Sequence, residues 1–267
     1  LWLKIIRSQQ VSNQELLIAL YTIVRREIRR FTRIWAQTLL PPAITMSLYF
    51  IIFGTLIGSR IGQMGGFNYM EFIVPGLIMM SVITNSYGNV VSSFYSSKFQ
   101  RNVEEMLVSP MPNWIILVGY ILGGVSRGLV VGCGVTILSL FFTDLQIHNL
   151  SVVIIVTLLT SVLFATGGFI NAMLANSFDD VSIIPTFVLT PLTYLGGVFY
   201  SISLLPDFWQ GVSQLNPILY MVSTFRYGIL GVSDIDVYTS FGIIIFFVVA
   251  LFAIALRMLN QGKGIRS

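Results

Sequence analysis

The chain has 267 residues, of which 55% are hydrophobic and only 10% are charged. A soluble domain carries about 25% charged residues, so the composition excludes an ordinary soluble fold and predicts that lipid surrounds most of the chain. The formal charge of +4 does not indicate nucleic-acid binding, because its densest cluster is one short arginine-rich segment and the rest is scattered. A single cysteine, Cys133, cannot form an intrachain disulfide, and a single histidine, His148, cannot make a metal site alone.

The segment before the first long apolar stretch, residues 13–35, predicts a cytoplasmic interfacial helix. At about 100° per residue its arginines fall within an arc of roughly 140°. These arginines are Arg25, Arg26, Arg29, Arg30 and Arg33. Apolar residues such as Ile23, Val24 and Phe31 take the opposite arc, so we expect an apolar face in the membrane and a cationic face in the cytoplasm. Such a helix either anchors the topology alone or also forms a collar against a partner protein.

Six stretches with almost no charge are long enough to cross roughly 30 Å of hydrocarbon, which takes about 20 helical residues. They are residues 34–59, 72–97, 106–143 (interrupted by Arg127), 145–178, 181–206 and 237–256. None alternates polar and apolar residues as barrel strands do, so the spans are predicted to be helices. The predicted fold is an all-α integral membrane protein with six transmembrane helices, forming a single transmembrane domain over residues 1–267.

A polar segment between the second and third spans, residues 98–112, predicts a short cytoplasmic helix. Apolar residues recur at helical spacing, from Phe99 to Val103, Met106 and Leu107, while the charged residues lie elsewhere around the helix. Prolines at positions 110 and 112 are expected to stop it before the next span. An amphipathic helix of this kind suits insertion into a groove on a partner, and a plain connecting loop is the alternative.

A seventh uncharged stretch, residues 208–225, is not predicted to cross the membrane. It contains Gln210, Gln214 and an Asn216-Pro217 pair near its middle, and a full span would leave these groups facing hydrocarbon. We expect two short re-entrant helices over residues 204–225 on the exterior face, broken at Asn216-Pro217.

The distribution of basic residues orients the six spans. With six spans both termini share a side, and twelve of the fifteen basic residues then fall on that side. Arg60 and Arg226 fall on the other side, and Arg127 lies within a span. The positive-inside rule makes the basic side the cytoplasm, so both termini are predicted to be cytoplasmic.

Residues 191–231 read PLTYLGGVFYSISLLPDFWQGVSQLNPILYMVSTFRYGILG, residues 72–80 read FIVPGLIMM, and residues 101–110 read RNVEEMLVSP. These words, in this order, resemble the ABC-2 type permease family, which supplies the membrane subunits of ATP-binding-cassette exporters. The resemblance covers nearly the whole chain. It implies a bacterial inner-membrane permease, not an enzyme itself, that exports an amphiphilic substrate such as a drug, a lipid or a lipid-linked glycan.

The resemblance also implies partners and site residues. Residues 98–112 would be the coupling helix that contacts the ATPase. Its implied coupling residues are Phe99, Arg101, Val103, Glu104, Glu105, Ser109 and Pro110. The working exporter would contain two permease copies, as a homodimer, and two ATPase subunits. The sequence has no G-x-x-x-x-G-K-[ST] phosphate loop, so ATP and Mg are expected on the partner and no cofactor on this chain.

Polar side chains within the spans are candidates for a translocation path. They include Tyr49, Asn85, Tyr87, Arg127, Thr190 and Tyr194. Each either hydrogen-bonds a neighbouring helix or lines a cavity, and Arg127 either binds helix-end carbonyls or lies on the substrate path. An ion-coupled secondary transporter is the alternative function, and it predicts an acidic residue within a span, which the six stretches lack.

Residues 124–128 match the G-x-S-x-G pattern of serine hydrolases, but a predicted membrane helix offers no strand-to-helix elbow for that chemistry. We therefore interpret the match as chance. The same stretch places small residues at helical spacing, which predicts close packing between helices. These residues are Gly119, Gly123, Gly124, Gly128 and Gly132.

Overall fold

The structure is a computed structural model that describes residues 12–264. Its elements in chain order are α1 (Asn13–Arg33), α2 (Trp35–Ile61), a hairpin of β1 (Gln63–Met64) and β2 (Phe67–Asn68), α3 (Tyr69–Phe99), α4 (Asn102–Val108), α5 (Asn113–Ser139), α6 (Leu150–Leu174), α7 (Phe178–Ile184), α8 (Thr190–Leu195), α9 (Asp207–Gln214), α10 (Pro217–Leu230) and α11 (Val237–Gln261). The terminal residues Lys4, Arg7 and Arg266, which contribute to the predicted orientation, lie outside the described residues.

Five of the described helices, α2, α3, α5, α6 and α11, are long and apolar enough to cross a membrane. The chain is therefore predominantly helical with several candidate membrane spans, as its composition predicts. Helix α3 is the most buried of the five and packs mainly against α5 and α6, whereas few residues of α2 and α11 are fully buried. The core therefore forms around α3.

Glycines allow the core helices to approach closely, and the packing predicted for the glycines of α5 is confirmed. An added Cβ on Gly124 would lie 2.9 Å from the Ser86 carbonyl oxygen of α3, and one on Gly123 would lie 2.5 Å from the Glu27 Cβ of α1. In α6, an added Cβ on Gly168 would lie 2.5 Å from the Tyr87 carbonyl oxygen. These contacts leave no room for a side chain at the three glycines, so the backbone of α3 lies close to those of α5 and α6, and side chains of α1 pack directly on the backbone of α5.

The fifth predicted span does not form one regular helix. Helices α7 and α8 are joined by a π-helical turn, Pro185–Leu189, and the helical path ends at Leu195 instead of continuing to residue 206. Pro185 has no N–H to bond the carbonyl of Val181, and the Asn171 side chain donates to that oxygen instead, at 3.1 Å. The six-span count therefore stays a prediction, because the described structure contains five long apolar helices and this shorter, interrupted one.

The segment that follows contains a short 3₁₀ turn at Ile202–Leu204 and the two helices α9 and α10. The predicted break at Asn216-Pro217 is confirmed: the Asn216 side chain accepts a hydrogen bond from the Ile218 N–H at 3.0 Å and caps α10. Helix α10 extends past the predicted residue 225 to Leu230, because it stops only where Gly231 adopts a positive φ of 78°.

The bundle has two distinct ends. The α4 end brings together the ends of α3 and α6 and the start of α5, where Asn113 donates a 2.8 Å hydrogen bond to Asn260 of α11. The hairpin end contains the β1–β2 turn, the start of α3, and the loops after α5, α8 and α10. At this end the backbone of Asn149 donates to the Gly228 carbonyl at 2.8 Å, which ties the α5–α6 loop to α10.

Candidate coupling surface and arginine groove

Helix α4 is separated from α3 by two residues, Gln100 and Arg101, of which Arg101 adopts the left-handed conformation. Arg101 has φ 62°, and it is the only non-glycine residue with a positive φ among residues 12–264. Its N–H bonds the Lys98 carbonyl at 3.0 Å, closing a tight turn that ends α3 at Phe99. The predicted single helix over residues 98–112 is therefore wrong in extent. The predicted helical register between Phe99 and Val103 is lost, because these two residues lie on different helices.

One side chain anchors α4 to the bundle. Val103 is 1% exposed, and Met106 and Leu107 are partly buried against the same core. Glu104, Glu105 and Pro110 are exposed, as is Arg101. Ser109 is half-buried and extended, as a residue before proline is expected to be, so α4 ends at Val108. We call the exposed residues Arg101, Glu104, Glu105 and Pro110 the coupling surface.

Phe99 contacts α7, although the sequence places it with the coupling helix. Its ring centroid lies 5.2 Å from that of Phe178, the first residue of α7, and Tyr95 packs edge-on to the same ring at 4.8 Å. Next to it, the Lys98 ammonium donates to the carbonyls of Met173 and Ala175 at 2.8 and 2.7 Å. The turn before α4 is thus joined to the end of α6 and to the start of α7.

Sequence reasoning missed Lys98 as a functional candidate. The available signal was a lone lysine at the end of a long apolar stretch, where an ammonium can bond helix-end carbonyls. The partner helix that supplies those carbonyls is distant in sequence, so the sequence does not identify it.

The apolar arc of α1 is only partly available to lipid. Ile23 and Phe31 are buried, and Ile23 packs over Gly119 of α5. Leu17 and Tyr21, on the other part of the arc, are well exposed. Part of the predicted apolar face therefore packs against the bundle, because the glycines of α5 leave space for α1, and the rest of the face is exposed.

The arginines of α1 divide into two groups. Arg26 donates to the Tyr120 hydroxyl at 2.6 Å, and Arg30 donates to the backbone and side-chain oxygens of Asn89 at 2.8 and 2.7 Å. Arg25, Arg29 and Arg33 are exposed, and none of their side chains donates a hydrogen bond to another described residue. The inner group therefore ties α1 to α3 and α5, and the outer group remains available.

A buried carboxylate lies between the two inner arginines, and sequence reasoning missed it. Glu27 is 1% exposed, and its oxygens lie 3.3 Å from Arg26 and 3.5 Å from Arg30. The signal in the sequence was an acidic residue on the otherwise apolar arc of the helix. Removing this charge would leave two guanidinium groups without their buried counter-ion.

The arginines of α1 face the polar end of α3 across an open groove of about 930 Å³. The α3 side of this groove is formed by Ser93, Ser96, Ser97 and Gln100, and Asn102 of α4 completes it. We call this space the arginine groove. Five arginines and a single glutamate line it, so the groove favours an anionic occupant.

The six candidate path residues do not lie together. Tyr49 and Tyr194 each pack 5.8 Å from the ring of Phe199 at the hairpin end. Thr190 is exposed and its hydroxyl bonds the Pro185 carbonyl at 2.9 Å, inside the π-helical turn. Asn85 is buried and donates to the Ser81 carbonyl of its own helix at 3.0 Å. A shared path for all six stays a prediction.

The remaining two path residues lie in the core. Tyr87 is buried beside Gly167 and Gly168 of α6. Arg127 is half-buried in the middle part of α5. Its buried Nε has no hydrogen-bond partner among residues 12–264, so the structure shows none of the helix-end bonds expected for this atom.

Arg226 was predicted only as a charge on the exterior side. It is 1% exposed and lies at the hairpin end, where it donates to Asp234 at 3.1 Å, to the Gly197 carbonyl at 2.6 Å and to the Phe72 carbonyl at 3.3 Å. Its guanidinium also lies 3.9 Å from the centre of the Phe72 ring. These contacts join α10 to the start of α3 and to the turn after α8.

The long apolar helices indicate an integral membrane protein, and sequence comparison gives its family. Residues 18–230 match the family described as ABC-2 type transporter. This match spans well over half of the chain, so the chain belongs to the ABC-2 type transporter family. The resemblance in the sequence motifs is confirmed.

Particular relatives agree with this assignment. The chain is 60% identical over 250 residues to the inner membrane transport permease YadH of Escherichia coli (strain K12), covering 94% of this chain and 98% of that protein. It is 24% identical over 215 residues to nodulation protein J of Rhizobium leguminosarum bv. trifolii, covering 80% and 82% of the two chains. Together with the apolar helices, these similarities indicate a multi-pass transport permease of the inner membrane.

Proposed function

We propose that this chain is the transmembrane subunit of an ATP-driven exporter whose ATPase is a separate polypeptide. The observation that carries the proposal is α4, a short helix with a charged exposed face, held to the bundle by the buried Val103. A surface of this kind suits a groove on a partner protein. The cargo is an amphiphile, such as a drug, a lipid or a lipid-linked glycan, moved out of the cytoplasm or the inner leaflet.

In this proposal the chain forms one transmembrane domain with six crossings. The fifth crossing is the interrupted helix of α7 and α8, and the region of residues 204–225 dips in from the exterior face. The α4 end and both termini face the cytoplasm, in agreement with the excess of positive charge there. Two copies of the chain, as a homodimer, and two ATPase subunits complete the exporter.

The contacts around α4 suggest how force applied to it would spread. Movement of α4 would act through the tight turn at Arg101 on the end of α3. Lys98 would transmit it to the end of α6, and Phe99 would transmit it to Phe178 at the start of α7. Helix α7 leads into the π-helical turn, a type of irregularity that is frequent at functional sites.

The proposed energy source is ATP bound by a partner protein. ABC-2 permeases work with an ABC ATPase, and this sequence has no phosphate-binding loop. ATP and Mg would therefore bind to the partner, and the assembled complex would hydrolyse ATP.

The coupling surface provides the test. Glu104→Ala combined with Glu105→Ala removes two exposed charges from α4 without altering its buried anchor. Two charged contacts of up to about 1 kcal/mol each correspond to a loss of up to roughly thirtyfold in affinity for the ATPase. The measurements are co-purification of the permease with its ATPase and ATP hydrolysis by the complex in lipid nanodiscs.

A matched control removes two exposed acids at the opposite end, with Asp144→Ala combined with Asp207→Ala. This pair should leave association and hydrolysis unchanged. Equal losses in both double variants, or none in the α4 pair, would contradict the proposed role of the coupling surface.

An ion-coupled transporter is the competing function, and within residues 12–264 the one fully buried acid that it could use is Glu27. Glu27 is already paired with two arginines, which favours a fixed counter-ion over a proton relay. Transport by the reconstituted chain alone, driven by a proton or sodium gradient, would overturn the proposal of an ATP-driven exporter.

A further inference from the structure

We propose that the arginine groove is a binding site for the phosphate of an anionic membrane lipid. The groove lies between α1 and the polar end of α3, and nothing in the exporter function assigns it a ligand. Arginine is well suited to phosphate, because its planar guanidinium donates two parallel hydrogen bonds to the oxygens.

The outer arginines form the first wall of the site. Arg25, Arg29 and Arg33 line the groove, and their side chains donate no hydrogen bond to another described residue. They recur every four residues along α1, so they share one strip of the helix surface. Their donors are therefore available to a ligand on that side.

The inner arginines form a fixed floor. Arg30 is held by two bonds to Asn89, and Arg26 is held by the Tyr120 hydroxyl. Glu27 lies between them and offsets part of their charge. Because α1 is tied to α3 and α5 in this way, the width of the groove is set before any ligand binds, which lowers the cost of ordering the site.

Helix α3 supplies the second wall. Ser93 and Ser96 line the groove, and their hydroxyls form no hydrogen bond with another described side chain or backbone group. Gln100 adds an amide at the end of the helix. A phosphate between the walls would meet charged donors on one side and neutral donors on the other, with no acidic side chain on the α3 wall.

The surroundings favour a lipid over a soluble anion. Leu17 and Tyr21 are exposed on α1 at 66% and 63%, and Trp35 is exposed at 62% just beyond its end. Exposed apolar residues beside a cationic strip are typical of a helix at the level of lipid headgroups. The acyl chains of a bound lipid could therefore stay in the bilayer while its phosphate enters the groove.

The test uses the purified chain in detergent micelles and native mass spectrometry to count bound lipid. Dioleoylphosphatidic acid is the probe, dioleoylglycerol is the matched lipid without phosphate, and inorganic phosphate is the competitor. We expect saturable binding of one phosphatidic acid and no retention of dioleoylglycerol. The Arg29→Gln and Arg33→Gln double variant should bind roughly tenfold more weakly or worse, because it removes two of the charge-assisted donors to the phosphate.

Two further double variants separate a built site from general attraction. Ser93→Ala with Ser96→Ala should weaken binding several-fold without changing the charge. Arg257→Gln with Lys263→Gln removes two exposed cations outside the groove and should change binding less than twofold. Arg29 and Arg33 are exposed, so their replacement should leave the elution profile of the chain unchanged.

Several results would overturn the site. An equal loss of phosphatidic acid binding in the Arg257 and Lys263 variant would mean that the lipid is attracted by general positive charge. Unchanged binding in the Arg29 and Arg33 variant would mean that the lipid does not bind in the groove. Displacement of the lipid by inorganic phosphate at similar concentration would indicate a soluble anion instead. The ATPase is absent throughout, so failure here is distinguishable from failure of the exporter proposal.

Discussion

The buried Arg226 and the partly buried Asp234 form an ion pair at the hairpin end, with 3.1 Å between the arginine Nη1 and the aspartate Oδ2. Asp234 also accepts a hydrogen bond from the Ser201 hydroxyl. Arg226 uses its remaining donors on backbone carbonyls of two other segments. A single guanidinium thus fixes the relative positions of α10, the start of α3 and the turn after α8.

Arg226→Met should destabilise the chain strongly. Its removal leaves the buried carbonyls of Gly197 and Phe72 without their donor and Asp234 without its counter-ion, and each buried polar group left without a partner costs about 1–3 kcal/mol. The thermal unfolding midpoint in detergent should therefore fall by several degrees or more, with loss of folded yield as the extreme outcome. Arg60→Met, at an exposed arginine of the same end, should leave the midpoint unchanged. A midpoint for Arg226→Met within the error of the wild type would show that the contacts around Arg226 contribute nothing.

Gly168 of α6 and Gly88 of α3 should respond oppositely to alanine. Gly168→Ala places a methyl group 2.5 Å from the Tyr87 carbonyl oxygen, and such overpacking costs about 1–3 kcal/mol. Gly88→Ala meets nothing within 4 Å, and alanine is favoured over glycine in a helix by up to about 1 kcal/mol. Unfolding midpoints in detergent check both variants. Equal midpoints would mean that α6 moves away freely, and that the close contact is not required.

Lys98→Met should weaken the connection between α3 and α6. The ammonium of Lys98 bonds two carbonyls at the end of α6, and hydrogen bonds to a charged group contribute about 1.5–3 kcal/mol each. We expect a lower unfolding midpoint and, in the complex with the ATPase, less transport per ATP hydrolysed. Lys98→Arg keeps the charge and should recover most of both. If Lys98→Met lowers neither the unfolding midpoint nor the transport per ATP hydrolysed, these two hydrogen bonds contribute to neither stability nor coupling.

How much of the structure could be predicted from the sequence depends on how far apart along the chain the interacting residues lie. Apolar length alone indicates the long helices, and the glycine spacing of α5 indicates its close packing, because both signals are local. The tie between Lys98 and α6 joins residues far apart in sequence, so no local pattern reports it. Periodicity places Glu27 on the apolar arc of α1, but its burial against protein depends on α5 leaving space at Gly123, which the sequence of α1 does not report.

The interrupted fifth span shows a second limit. Hydropathy gives one apolar stretch, but Pro185 removes a helical N–H inside it, and the path continues only because Asn171 bonds the carbonyl that is left over. Predicting this requires knowing which residue of α6 faces position 181. The prediction of a single helix over residues 98–112 was wrong for a similar reason, because helical spacing between Phe99 and Val103 could not reveal a turn at Arg101.

The turn at Arg101 gives a prediction that separates backbone geometry from charge. A residue other than glycine in the left-handed conformation costs roughly 1–2 kcal/mol, and Arg101 adopts it with φ 62°. Arg101→Gly should therefore raise the unfolding midpoint slightly, and Arg101→Val should lower it, because β-branched residues tolerate this conformation least.

Asparagine tolerates the left-handed conformation and carries no charge, so Arg101→Asn is the matched control for the ATPase readout. Arg101→Asn keeps the turn but removes the cation from the coupling surface. If the charge contacts the ATPase, Arg101→Asn and Arg101→Gly should both lower ATP hydrolysis by the complex while the chain stays folded. If the turn alone matters, Arg101→Asn should match the wild type, and only Arg101→Val should impair hydrolysis. Normal hydrolysis in all three variants would exclude Arg101 from coupling altogether, because neither its charge nor its backbone conformation would then be required.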